Sequence, residues 1–210
     1  MSARPLAGVL VVDLSRHLPG PLAAHLLADL GARVVKVEEP VHGDPVRQAP
    51  PHRHGQGALA TLLLSGVESI ALDLKQPAAR EVVRRLAGRA DVLLESFRPG
   101  TLARLGLDPA ELRAANPRLV VGSLSGWGQE GPWAGRAGHD LSYQATAGTL
   151  AASVGGAGGP RVPAVTVADL VGAWSVVTAV LAALVERGRS GEGGRIDAAL
   201  VDAAAHANLV

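Results

Sequence analysis

Cysteine is the residue type that this 210-residue sequence lacks altogether. Its absence excludes disulfide bonds, thiolate nucleophiles and cysteine-ligated metal sites. A chain without cysteine also suits a reducing compartment, so we predict a cytoplasmic protein. His52 and His54 have no third ligand at a spacing typical of metal sites, and we therefore predict no metal centre.

Aromatic side chains and excess charge are also scarce. Only one Phe, one Tyr and three Trp occur, so aliphatic residues must fill the core of a chain that is 48% hydrophobic. With 20 basic and 19 acidic residues, the chain has no strong field for a polyanion, and we expect no nucleic-acid partner. Asp13 interrupts the apolar run near the start, which therefore does not resemble a secretory signal. The run from Leu170 to Val185 is shorter than the roughly 20 residues of a membrane span, and we predict a core helix and no membrane partner.

Short β-branched runs alternate with helical patterns over the first part of the chain. A strand at Val9 to Leu14 precedes a helix at Pro21 to Leu30, and a second strand follows at Arg33 to Val37. The alternation continues with a strand at 69–74, a helix at 77–88, a strand at 91–95, a helix near 109–115 and a strand at 119–124. This order predicts an α/β fold with an open parallel Rossmann-like sheet and flanking helices. The Pro- and Gly-rich segment Glu39 to Gly57 is predicted to be a surface loop without regular structure.

The alternation stops after Gly126. The remaining pattern predicts a helix at 140–150, a Gly/Pro linker at 155–163, an apolar helix beginning near Asp169, a strand at 195–198 and a final helix. That last helix is predicted to run to the final residue without a cap, so we expect the chain to end within a structural unit.

Residues 5–9 and 12–15, followed by 20–21 and 28–32, form the first of five blocks of sequence. The other four are 69–75, 91–100, 116–118 with 125–129, and 190–197. In order along the chain, these blocks resemble the class III CoA-transferase family (CaiB/BaiF type), which also contains the 2-methylacyl-CoA racemases. The resemblance implies that residues 1–210 form the family's N-terminal large CoA-binding domain, truncated because the small domain and the C-terminal return are missing. Family members form interlocked dimers. We therefore expect a homodimer, or a partner chain that supplies the missing half.

Asp169 opens the long apolar helix. An acidic residue there is typical of an ordinary helix cap, where backbone N–H groups and the helix dipole favour the ionised carboxylate. The resemblance implies a nucleophile instead, which attacks an acyl-CoA thioester and forms an aspartyl-acyl anhydride. The predicted function is therefore transfer of CoA between an acyl-CoA thioester and a carboxylic acid.

His139 lies in the sequence Gly138-His139-Asp140. A lone histidine in a glycine-rich turn is typical of a surface residue, but the racemase branch has a histidine in this context that exchanges the substrate α-proton with the equivalent of Asp169. A 2-methylacyl-CoA racemase is therefore an alternative function, and a noncatalytic fragment or subunit is another. A nicotinamide-binding domain is disfavoured, because the turn near Gly20 lacks the G-x-G-x-x-G pattern.

The resemblance implies no permanently bound cofactor, with coenzyme A or acyl-CoA as substrate. It assigns the CoA loop to His17, Leu18 and Pro19, and the adenosine end to Phe97, Arg98 and Arg104. Glu39 and Glu68 stand where the family commonly has basic residues. Like-charge repulsion at these two positions predicts weak CoA binding.

Overall fold

The computed structural model describes residues 4–53, 55–152 and 161–208. Eight strands are present in this part of the chain: β1 (Leu10–Asp13), β2 (Arg33–Glu38), β3 (His52–Arg53), β4 (Gln56–Gly57), β5 (Glu68–Ala71), β6 (Val92–Glu95), β7 (Val120–Ser125) and β8 (Arg195–Ala199). The helices are α1 (Pro19–Asp29), α2 (Ala58–Leu63), α3 (Pro77–Ala87), α4 (Thr101–Arg104), α5 (Pro109–Ala115), α6 (Asp140–Thr146), α7 (Thr149–Ala152), α8 (Val167–Ser190) and α9 (Leu200–His206).

Six strands form one parallel sheet in the order β5-β2-β1-β6-β7-β8. Counted along the chain within this sheet, the order is 3-2-1-4-5-6, which is that of a Rossmann fold. The predicted open parallel sheet with flanking helices is therefore confirmed. The chain leaves β1 toward one edge of the sheet and leaves β6 toward the other, so the crevice of such folds is expected between these two strands.

The alternation of side chains along each strand creates two cores, one on each face of the sheet. On one face, Val11 and Val120 pack with the apolar sides of α1 and α8. On the other face, Val12 and Val121 pack with α3 and α5. Because the strands of a parallel sheet are covered on both faces, they are apolar on both sides, as their sequences indicated.

Several predicted elements differ from the structure. The segment from 39 to 57 is not irregular, because it contains a 3-10 turn at Pro45–Gln48 and the antiparallel β3–β4 pair, whose connection includes Gly55 at φ +79°. The predicted helix at 140–150 is two helices, which are separated at Gly148 with φ +82°. The last helix ends at His206 rather than at the final residue. Residues 155–160 of the predicted linker lie outside the described residues, and residues 161–163 have no regular structure.

The long apolar helix α8 begins at Val167, two residues before the predicted start, and ends before Gly191 in the left-handed conformation. By length and composition it could cross a membrane. Ala173, Val176 and Val180 on one side of α8 are nevertheless buried in the core against the sheet, as predicted for a core helix. Trp174, on the other side, is 57% exposed.

Gly122 in β7 provides a test of how closely α8 packs on the sheet. A Cβ at this position would lie 2.9 Å from Leu94 Cδ2 and 3.4 Å from Val176 Cγ2. We expect Gly122→Val to lower the free energy of unfolding by about 1–3 kcal/mol, because the added atoms overpack a filled core. Urea unfolding measures this change. The control is Gly135→Val, because no atom lies within 4 Å of a Cβ there. Equal midpoints for the two variants would contradict the packing described.

Candidate active site

A cavity of about 510 Å³ opens at the carboxyl ends of β1, β6 and β7. It lies where a Rossmann-type sheet places its ligands, beside the point at which the connections diverge. Six of the eight residues predicted for the site line this cavity: His17, Pro19, Phe97, Arg98, His139 and Asp169. The fold therefore brings together residues that are up to about 150 positions apart in the sequence.

Asp169 is the third residue of α8 and is partly buried. Its backbone N–H donates to Asp140 Oδ1 at 3.1 Å. Within the described part of the chain, no group donates a hydrogen bond to the Asp169 carboxylate itself. Burial, and secondly the charge of Asp140, raise the pKa of Asp169 to about 7. These two effects outweigh the helix N-terminal field that was expected to favour the ionised form.

Asp140 connects the beginnings of two helices. One carboxylate oxygen accepts the Asp169 N–H, and the other accepts a hydrogen bond from Gln144 Nε2 at 2.5 Å. Gln144 is fully buried, so the hydrogen bond that holds the Asp140 carboxylate comes from a core side chain. The first turn of α6 is thereby fixed to the first turn of α8. Sequence reasoning did not assign Asp140 a role, although its i, i+4 spacing to Gln144 places both residues on one helix face.

His139 occupies the N-cap position of α6 and is exposed. Its backbone N–H lies 3.5 Å from Ser142 Oγ, and its carbonyl accepts the Ser142 N–H at 2.8 Å. The imidazole faces that of His17, with ring centroids 6.4 Å apart and planes nearly perpendicular. His139 and Asp169 therefore border the same cavity from two different helices.

Tyr143, the one tyrosine of the chain, is a cavity residue that the sequence analysis missed. Its ring makes an edge-to-face contact with Trp127 at 4.9 Å and lies against the backbone of Gly138, where a Cβ would be 2.7 Å from Tyr143 Cε1. Burial, and secondly the charge of Asp169, raise the pKa of Tyr143 to about 12. The hydroxyl therefore keeps its proton at neutral pH and can donate a hydrogen bond. Tyr143 lies four residues after His139, and this spacing places both on one face of α6, so the sequence did offer a signal that Tyr143 is near the site.

The charge of the cavity is mainly positive. Arg16, Arg98 and Arg136 line it, all three exposed, whereas Asp169 is the one acidic side chain among the described residues of its wall. Arg136 also stacks over the Trp133 ring, 4.7 Å from its centroid. Guanidinium groups at such a site favour phosphate and carboxylate ligands.

Two residues predicted for CoA binding do not line the cavity. Leu18 packs with Val46 and Leu63 in a small apolar cluster. Arg104 lies on α4, where its Nη2 donates to Thr101 Oγ1 at 2.8 Å. Their sequence positions are close to those of the cavity residues, but their side chains make these other contacts instead.

A second cavity of about 210 Å³ adjoins the first and shares two residues with it, Arg16 and Phe97. Its wall is largely apolar. The aliphatic residues are Leu14, Val37, Leu72, Leu74 and Leu105, and the charged ones include Glu38, Glu39, Asp73 and Lys75.

The two glutamates that were expected to weaken CoA binding lie in different places, and only one of them borders a cavity. Glu68 pairs with Arg33 at 2.8 and 2.9 Å, at the opposite end of the sheet from the cavities, so it is not a source of repulsion there. Glu39 does line the second cavity, and its carboxylate accepts the backbone N–H groups of residues 41 and 42. Neighbouring Glu38 is bound by Arg47 through two hydrogen bonds of 2.8 and 2.6 Å. Although burial opposes it, this pairing lowers the pKa of Glu38 to about 2.

No metal cluster occurs in the part of the chain that the structure describes, where no three His, Asp or Glu side chains are grouped to hold an ion. His54 lies outside the described residues.

Comparison with known proteins identifies the class to which this fold and cavity belong. The model of CoA-transferase family III matches residues 6–208, and the chain belongs to that family. It is 40% identical over 199 residues to acetyl-CoA:oxalate CoA-transferase of Acetobacter aceti, which covers 94% of this chain and 51% of that protein. It is 41% identical over 203 residues to human alpha-methylacyl-CoA racemase, which covers 96% of this chain and 49% of that protein.

Solved structures agree with the sequence relatives. A CaiB/BaiF family protein from Brucella suis superposes with a TM-score of 0.91 at 38% identity, which covers 98% of this chain and 55% of that one. The protein Rv3272 of Mycobacterium tuberculosis superposes with a TM-score of 0.86, which covers 97% of this chain and 56% of that one. The chain thus spans about half the length of the relatives that it matches.

The raised pKa of Asp169 predicts how the free energy of unfolding changes with pH. Because the folded state binds this proton more tightly than the unfolded state, ionising Asp169 costs stability as pH rises from about 4 to about 7. We expect Asp169→Asn to stabilise the protein little at pH 4, increasingly up to pH 7, and by a constant amount above it. Discounted for partial exposure, the plateau is on the order of 2 kcal/mol. Urea unfolding at several pH values measures it, with Asp202→Asn as control. A gain that does not vary with pH would contradict the raised pKa.

Proposed function

We propose that this chain is the CoA-binding N-terminal part of an acyl-CoA transferase, which moves CoA between an acyl-CoA thioester and a carboxylic acid. The observation that carries the proposal is the Asp169 carboxylate, which accepts no hydrogen bond from the described residues and lies in a cavity whose other charged side chains include three arginines. Membership in CoA-transferase family III supports the same reaction class.

In the proposed mechanism, Asp169 attacks the thioester carbonyl carbon, the C–S bond breaks, and CoA leaves as the thiolate. The resulting aspartyl-acyl anhydride is attacked by the thiolate at the aspartyl carbonyl, which releases the donor acid and leaves an aspartyl-CoA thioester. The acceptor carboxylate attacks this thioester to form a second anhydride. The thiolate then takes the acceptor acyl group, and Asp169 is regenerated as a carboxylate.

Each tetrahedral intermediate carries a negative charge on oxygen. The protonated Tyr143 hydroxyl and backbone N–H groups of the glycine-rich turn from 126 to 138 are the donors available to this oxyanion. The arginines of the cavity wall would bind the carboxylate of the acid and the phosphates of CoA. His17, Pro19, Phe97 and Arg98 are the residues we assign to CoA.

The pH dependence of transfer tests the assignment of Asp169. The nucleophile must be ionised, so the rate is expected to rise with pH through about 7 and then level off. Asp140→Asn keeps an oxygen acceptor for the Asp169 N–H but removes the neighbouring negative charge. We expect it to move this rise to lower pH, by about one unit or less. Steady-state transfer rates from pH 5 to 9 give the profile. An unchanged profile in Asp140→Asn would show that Asp140 does not set the acidity of the nucleophile.

Racemisation of a 2-methylacyl-CoA is a second candidate, because His139 borders the same cavity as Asp169. In that reaction one of the two groups removes the α-proton and the other returns a proton to the opposite face of the enolate. The likeness to alpha-methylacyl-CoA racemase supports this candidate as well.

The two reactions are separated by comparing variants of the two residues. We expect Asp169→Ala to abolish CoA transfer, and His139→Gln to leave transfer within about three-fold of the unsubstituted protein, because no step of the proposed transfer uses His139. Transfer is followed as new thioester, and exchange as deuterium incorporation at the α-carbon by NMR. Transfer retained in Asp169→Ala would overturn the covalent mechanism. Exchange in the unsubstituted protein that is lost in His139→Gln would make racemisation the function. The absence of both activities would favour a noncatalytic subunit.

Because the chain spans about half of its relatives, we also propose that residues 1–210 form the large domain only. The remaining half would come from further polypeptide or from a partner chain, and the assembly would be a homodimer or its equivalent. The native mass of the complex measures this directly. A cytoplasmic location stays a prediction.

A further inference from the structure

A buried ionic cluster lies beneath the loop between β1 and α1. Lys36 Nζ is 3.0 Å from Asp13 Oδ2 and 3.0 Å from Asp44 Oδ2, and all three side chains are almost completely inaccessible. Lys36 also donates to the carbonyl of Ser15 at 2.8 Å. Burial lowers the pKa of Lys36, but the two carboxylates outweigh it, so its pKa is raised and the ammonium stays charged. Such clusters contribute little net stability and are better explained by the geometry they fix.

The cluster fixes an unusual backbone conformation. Asp44 Oδ1 accepts the backbone N–H of His17 at 3.2 Å and that of Val46 at 2.9 Å. His17 has φ of +69°, and it is the one non-glycine residue with positive φ among those that the structure describes. A histidine held in a left-handed conformation by buried charges indicates that the direction of its side chain matters.

That conformation directs the His17 imidazole into the cavity, edge-to-face with His139. Burial lowers the pKa of His17, and the charge of Asp44 only partly opposes this, so the ring is neutral at pH 7. A neutral ring can pack against His139 without repelling it.

We propose that His17 is a positioning residue, whose left-handed turn, held by Asp44 and Lys36, places its ring against His139 and fixes that imidazole at the cavity. The effect of this role on catalysis rests on the proposed function, whereas the contact between the two rings does not. The role differs from CoA binding by the backbone of the loop between β1 and α1, because it depends on the His17 side chain.

The test compares His17→Phe, which keeps a ring for the contact, with His17→Gly, which removes the ring and relieves the positive φ. His17→Gly is expected to melt no lower than the unsubstituted protein. Where α-proton exchange is observed, its kcat in His17→Gly is expected to fall about ten-fold with little change in KM, whereas His17→Phe stays within about three-fold. An equal loss in both variants would show that a His17 nitrogen acts chemically and would overturn the positioning role.

A second measurement does not depend on activity. The ring separation of 6.4 Å brings protons of the two side chains within range of a nuclear Overhauser effect (NOE). We expect this NOE in the unsubstituted protein and in Asp44→Asn, which retains the acceptor for the His17 N–H, and its loss in Asp44→Ala. Absence of the NOE in the unsubstituted protein, or its persistence in folded Asp44→Ala, would overturn the proposal. If the NOE behaves as expected but no reaction is detected, the proposed function fails while the positioning contact stands.

Discussion

The divergence of the chain at β1 and β6 is the constraint on which the rest of the site depends. These strands are hydrogen-bonded neighbours, but the chain continues from β1 through α1 to β2 on one side and from β6 to β7 on the other. The loops that follow them must therefore separate, and a crevice remains between them. His17 arrives on the first loop and Arg98 on the second, while the carboxyl end of β7 closes the floor. The strand order therefore creates the cavity, whatever side chains line it.

The position of the long helix α8 determines which acidic side chain lies at that crevice. Its close packing relies on small residues, because Gly122 of β7 leaves no room for a Cβ beside Leu94 and Val176, and Gly172 of α8 leaves none beside Leu200 of α9. This packing carries the first turn of α8 to the mouth of the crevice, where Asp169 is partly buried and next to Asp140. Burial and like charge raise the pKa of a carboxyl group, whereas a helix N-terminus lowers it. Here the first two effects prevail, so tertiary packing decides the acidity of the group.

The sheet and its flanking helices could be predicted because each leaves a local trace in the sequence, whereas Asp169 was assigned through the family resemblance. Strands covered on both faces are apolar throughout, and helices on the sheet have a helical period. Asp140 and Tyr143 were harder to find from the sequence. Asp140 acts through a contact with Asp169, which is 29 positions away in the sequence. Tyr143 lies against the backbone of Gly138 and near the charge of Asp169, which is 26 positions away. The short elements α2, α4 and the β3–β4 pair bury too few residues to show a period. Arg104 on α4 and Leu18 at the N-cap of α1 do not line the cavity, because proximity in sequence does not fix the direction of a side chain.

A carboxyl group with a pKa near 7 suits both reactions for which relatives of this chain are named. As a base or a nucleophile, a carboxylate becomes more effective as its pKa approaches the working pH, provided that a sufficient fraction is ionised. The environment of Asp169 is therefore compatible with either proposed reaction, attack on a thioester or removal of an α-proton. What distinguishes the reactions is the group that faces Asp169 across the substrate. In this chain the His139 imidazole at the start of α6 borders the same cavity as Asp169, accompanied by the His17 imidazole, whose backbone is held by a buried ion cluster. Under the proposed function, the choice between transfer and racemisation therefore depends on how His139, with the His17 ring against it, is held at the cavity that also contains Asp169.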